Sequence, residues 1–92
     1  MRTVYKYVLD VTDEQGIQMP VMAKILSVAE DHNGDLCVWA AVIPDNRKEE
    51  VLFRVIGTGN PISLGTLTGW QFLGTTVMSN GLVWHVWYRQ SQ

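Results

Sequence analysis

Cysteine is almost missing from this chain: Cys37 is the only one in 92 residues. No intrachain disulfide can form, and a lone thiol suits a reducing compartment. Histidine is nearly as scarce. His32 and His85 lie far apart, and no Cys/His set has the spacing of a metal site. Basic charge is not in excess either, with 7 Lys and Arg against 9 Asp and Glu and a formal net charge of −2. A duplex nucleic-acid binder normally carries a basic face, so that class is excluded. No apolar run approaches the ~20 residues of a membrane span. The opening Met1-Arg2-Thr3-Val4-Tyr5-Lys6 lacks the apolar stretch of a signal peptide. A cytoplasmic domain with no membrane partner is the expectation. Linkers, repeats and sustained helical periodicity are missing as well.

What is present is β-branched and aromatic residues broken by turn signals at short intervals. Residues 1–92 read as a single all-β domain, a small antiparallel barrel or sandwich of about six to seven strands with Asn-Gly hairpins. The expected strands are Thr3–Val11, a short piece Ile17–Met19 stopped by Pro20, Ala23–Glu30, Leu36–Ile43, Val51–Ile56, Gln71–Met78 and Leu82–Arg89. Pro44–Glu50 reads as a charged loop. Asn33-Gly34 and Asn80-Gly81 are taken as two-residue turns, the strongest short-range hairpin signal.

Two-residue turns fix the register. Val28 then faces Trp39 and Ile25 faces Val42. In the second hairpin Val77 faces Trp84, Thr75 faces Val86 and Leu73 faces Tyr88, while Trp87 covers Gly74 from the other side. The expected core is Ile25, Leu26, Val28, Val38, Trp39, Phe53, Val55, Leu73, Val77, Trp84 and Val86. A half-solvated strand should alternate apolar and polar residues. Leu36–Ile43 is apolar on both faces, Leu52 and Ile56 flank Arg54, and Val83 and Trp87 flank His85. A chain this short buries only about 60% of its unfolded surface. With no disulfide or metal to help, burial between subunits of a homo-oligomer is expected, alongside tight packing of the sheet on itself.

Few residues invite chemistry. Gly57-Thr58-Gly59-Asn60-Pro61 could gather backbone N–H groups around an anion, or could simply end a strand. It is neither a Walker loop nor a dinucleotide fingerprint. Arg54 and Arg89 lie among apolar strand residues, either snorkelling to water or lining a pocket for a phosphate. Trp70 and Trp87 are the tryptophans least needed by a core, and either could stack on a base or fill an interface. Asp10, Asp13 and Glu14 flank a turn and read as solvated. His85 has no serine or cysteine placed as a nucleophile, so the chain is expected not to be an enzyme and to need no cofactor.

The ordered set Tyr5-Lys6-Tyr7, Val11-Thr12-Asp13-Glu14-Gln15, Ile17, Met19-Pro20, Ala23-Lys24-Ile25-Leu26-Ser27-Val28, Trp39-Ala40, Phe53-Arg54-Val55, Gly57-Thr58-Gly59, Pro61-Ile62, Gly74-Thr75 and His85-Val86 carries a resemblance. It resembles a family of short uncharacterised proteins found in bacteriophages and bacterial genomes. Asn60 stands where relatives commonly carry histidine. The resemblance implies host takeover or counter-defence in the host cytoplasm. One form is an oligomeric sponge that binds a nucleotide-derived immune signal without cleaving it. Arg54, Gly57, Thr58, Gly59, Asn60, Trp70, Trp87 and Arg89 would then form the ligand site. The alternative is an inhibitor or accessory factor that sets its aromatic face against a host protein.

Overall fold

The computed structural model describes residues 1–63 and 65–90. Within them lie seven strands: β1 (Thr3–Val8), β2 (Gln15–Pro20), β3 (Lys24–Glu30), β4 (Leu36–Val42), β5 (Lys48–Gly57), β6 (Gln71–Val77) and β7 (Val83–Gln90). They form two antiparallel sheets, one of three strands in the order β1-β4-β3 and one of four in the order β2-β5-β7-β6. The architecture is an open sandwich rather than a closed barrel. The segment expected as a charged loop is partly strand, because β5 begins at Lys48 and pairs there with Pro20.

Both Asn-Gly turns are three-residue loops, which corrects the register expected of them. Asp31 and Asp35 bond across His32-Asn33-Gly34, with the Gly34 N–H donating to the Asp31 carbonyl. Met78 and Leu82 bond across Ser79-Asn80-Gly81 in the same way. Gly34 and Gly81 take φ of 82° and 90°, the left-handed residue that completes a type I turn with a bulge. Side-chain acceptors favour this form. Asp31 Oδ1 accepts from the N–H groups of Asn33 and Asp35, and Asn80 Oδ1 accepts from that of Leu82.

The extra loop residue slips each ladder by one and turns side chains over. Val28 pairs with Val38, Ser27 with Trp39, and Ile25 with Ala40 after a bulge at Leu26. Val77 pairs with Val83, Thr75 with His85, and Gly74 with Val86, with a second bulge at Leu73. Trp39 therefore lies half-buried on the outer face of its sheet, Leu26 is exposed, and Val77 is 71% exposed. These three leave the expected core. Trp87 does not cover Gly74; it pairs with Phe72 and packs against that ring at 5.0 Å.

The core between the sheets holds Leu36, Val38, Ala40 and Val42 of β4 against Val51, Phe53 and Val55 of β5 and Val86 of β7. Met19, Ile25 and Met78 fill its margins, and Val28, Leu73, Trp84 and Tyr88 pack on it half-buried. At one side β3 runs close to β6. A Cβ on Gly74 would stand 3.2 Å from Val28 Cγ1, so the bare glycine permits the approach. Glu30 ties this corner by accepting from the N–H and hydroxyl of Ser79, and Gln90 Nε2 donates to the Ala23 carbonyl at 2.7 Å.

On the outer face of the three-stranded sheet, Lys6 Nζ meets Asp31 Oδ2 at 2.7 Å. That bond raises the Lys6 pKa and, with the Asp35 N–H, holds the Asp31 carboxyl well below the usual carboxylate range. Burial pushes the Cys37 thiol up to about 11.

Three outcomes follow from this packing. Phe53→Ala should cost about 3–5 kcal/mol in chemical denaturation, whereas Val77→Ala should change stability by less than about 0.5 kcal/mol; equal effects would mean that the slipped register is wrong. A depressed carboxyl contributes stability above its unfolded pKa of about 4, and loses it as pH falls through the folded value. Melting temperature should therefore drop on acidification below about pH 4, and Asp31→Asn should flatten that acid limb. Cys37, fully buried and un-ionised at neutral pH, should react with a thiol reagent far more slowly in the native protein than after denaturation.

Candidate functional site

The alternation of β5 points Val51, Phe53 and Val55 into the core and Leu52, Arg54 and Ile56 to the outer face. Across the ladder Leu52 meets Arg89, Arg54 meets Trp87 and Ile56 meets His85. The chain leaving β5 turns at Gly57–Asn60 and returns over this face, because Trp70 lies on Arg54 with its ring centroid 4.9 Å from the guanidinium carbon. Arg54 and Trp70, distant in sequence, thus form one element. The stack is a cation–π contact, for which a flat guanidinium is suited.

Arg54 has a second partner that the sequence did not suggest. Its Nη2 donates to Glu14 Oε1 at 2.8 Å, and the Glu14 side chain remains 46% exposed. Glu14 had read as part of a solvated turn. The Arg54 Nε–H is buried and finds no acceptor among the described residues. Beside this arginine lies a cleft of about 230 Å³ lined by Asp13, Arg54, Ile56, Asn60, Pro61, Ile62, Ser63 and Thr66.

The remaining expected site residues are distributed around this cleft. Gly57 is buried, and the Asn60 N–H donates to its carbonyl at 3.1 Å. The Thr58 N–H donates to the Val83 carbonyl at 3.3 Å. These two donors are occupied within the chain, which leaves the loop few N–H groups to aim at an anion. Gly59, at φ 89°, makes the turn. Trp87 neighbours Arg54 but packs on Phe72. Arg89 is exposed and lines a different hollow with Glu50, Leu52 and Gln90. The structure brings together Arg54, Trp70 and Asn60, and sets Arg89 apart.

Sequence reasoning missed the surroundings of His85. Thr58 Oγ1 lies 2.7 Å from Nε2, and Thr75 Oγ1 lies 2.9 Å from Nδ1. A hydroxyl, an imidazole and a second hydroxyl stand in line. In a catalytic triad the third member is a carboxylate that stabilises the imidazolium; here it is a neutral threonine, and both ring nitrogens are satisfied. The arrangement is a polar tie from the loop after β5 across β7 to β6. Only the direct pairing of His85 with Thr75, set by the slipped register, could have revealed half of it. Among the described residues no group of three or more His, Cys, Asp or Glu is placed to hold a metal ion.

A family model described as a domain of unknown function (DUF7352) matches residues 1–92. Neither the curated proteins nor the solved structures contain a match to the chain.

Proposed function

We propose, for a chain that belongs to the DUF7352 family, that it is an oligomeric binding protein which sequesters a nucleotide-type anion in the cleft beside Arg54 and releases it unchanged. The observation that carries this is the buried, unpartnered Nε–H of Arg54. Buried polar groups are nearly always paired, and a guanidinium offers two parallel donors to one phosphate or carboxylate. A ligand oxygen on Nε, with a second on Nη2 in place of the exposed Glu14 carboxylate, completes that fork. The Trp70 ring lies against the guanidinium, 4.9 Å from its carbon.

The other walls narrow the ligand class. Asp13 repels a second phosphate and accepts bonds from hydroxyls, and Asn60, Ser63 and Thr66 add neutral polar groups. That combination favours a sugar phosphate over a bare polyanion. A volume of about 230 Å³ lies under the roughly 300–1,000 Å³ of pockets that enclose a drug-sized molecule. One phosphoribosyl unit suits it, and the rest of a larger nucleotide would extend towards Trp87 or a neighbouring subunit. A phage counter-defence sponge for a nucleotide-derived immune signal is the biological form of this proposal that the sequence resemblance supplies.

A protein-binding role is the alternative, favoured by a separate observation. Phe72, 53% exposed, and Trp87 form an aromatic pair on the outer face of the four-stranded sheet, a composition typical of interface anchors.

Calorimetry with ribose phosphates, ADP-ribose derivatives and cyclic dinucleotides tests the proposal. Arg54→Lys should weaken binding by roughly 10–100-fold, since a charge-assisted bond contributes about 1.5–3 kcal/mol. Glu14→Gln should strengthen it, because the internal competitor loses its charge. Chromatography should recover the ligand intact. Weaker binding in Glu14→Gln would sink the displacement scheme, and no binding across the panel would favour the protein partner.

A further inference from the structure

We infer that β1 is a subunit-contact strand: it pairs antiparallel with β1 of a second copy of this chain, joining two three-stranded sheets into one continuous sheet. This does not rest on the Arg54 cleft. It concerns the opposite sheet.

Among the described residues β1 pairs with β4 on one side and has no strand on the other. The Leu9 N–H donates to the Leu36 carbonyl, and Leu9 with Leu36 continues the register of Tyr7 with Val38. Hydrogen-bonded pairs alternate along an antiparallel ladder. Thr3, Tyr5 and Tyr7 therefore bond to β4, while Val4, Lys6 and Val8 turn their N–H and C=O groups outward to the free edge.

This edge lacks the usual protection. Natural edges are guarded by proline, bulges or free charges. β1 is regular and proline-free, and its one charge, Lys6, is held by Asp31 at 2.7 Å. Val4, Tyr5 and Val8 are 56%, 42% and 51% exposed, so the strand is apolar and open on both faces as well as at its edge. The free edge of β2 differs. Pro20 removes a donor there, and its outward side chains include Gln18. The remaining edges, β3 and β6, run against each other.

A second copy is the occupant that fits. Parity requires outward residues to face outward residues. A two-fold axis through Lys6 overlaps the whole strand and sets Val4 opposite Val8 of the second copy and Tyr5 opposite Tyr7. Apolar meets apolar, and the two central lysines each arrive with their own aspartate, so four alternating charges gather with no net charge. Using one edge once closes the assembly as a two-fold dimer and leaves nothing to propagate a fibre.

Sedimentation of the wild-type chain should give twice the chain mass, falling to the single mass on dilution. Val8→Pro removes an outward N–H and keeps the bonds of Tyr7 and Leu9 to β4. It should weaken association roughly tenfold or more while preserving the melting temperature measured at low concentration. In the wild-type dimer the amides of Val4, Lys6 and Val8 should be protected from hydrogen exchange, and should lose that protection on dilution. A chain that stays monomeric at all concentrations would overturn the inference. So would a dimer in which these three amides exchange as freely as solvent-exposed ones. Should Val8→Pro fail to fold, the exchange measurement decides alone.

Discussion

Two left-handed glycines govern the rest of this molecule. Gly34 and Gly81 close three-residue loops, and the side chain of a β-strand changes face with every residue. Adding one residue to each hairpin thus decides which residues of β3 and β4, and of β6 and β7, stand opposite one another. Val86 keeps its expected place in the interior while Val77 leaves it, and His85 arrives beside Thr75 rather than Thr76. Bulges at Leu26 and Leu73 then shift the far ends of the same two hairpins. The local preference behind the loops is electrostatic and short-range: Asp31 and Asn80 place a side-chain oxygen where the turn's N–H groups need an acceptor.

The sandwich that results divides its chemistry between its two outer faces. On the four-stranded sheet, the loop after β5 folds back to lay Trp70 on Arg54. A guanidinium held over a ring loses less freedom when it grips an oxyanion. Glu14 occupies one donor from a position open to water, and an exposed ion pair contributes little stability, so exchanging it for a ligand costs little. In the three-stranded sheet β1 pairs with β4 alone among the described residues, and its other edge stays bare.

Small size links these two faces. A chain of this length leaves much apolar surface uncovered. The double-sided apolar strand β4 is the middle strand of its sheet, and on its outer face the small Cys37 and Ala41 flank the half-buried Trp39. Exposed apolar side chains remain on β1 and at Phe72 beside Trp87, among other places.

By itself, the sequence determined the class of structure. Alternation, β-branched residues and turn signals located all seven strands, and the pattern around Val51–Ile56 assigned the faces of β5 correctly, because those features are local. It also singled out Arg54 and Trp70 as cation and ring. An Asn-Gly dipeptide leaves the loop length open, although the acceptors that favour three residues, Asp31 and Asn80, are local. Tertiary structure decided the rest. Strand order, the return of the loop that brings Trp70 to Arg54, and the reach of Glu14 across 40 residues are matters of packing between distant segments. Thr58 and Thr75 met at His85 for the same reason: each is unremarkable in its own stretch of chain, and only the closing of the four-stranded sheet puts both hydroxyls against one imidazole.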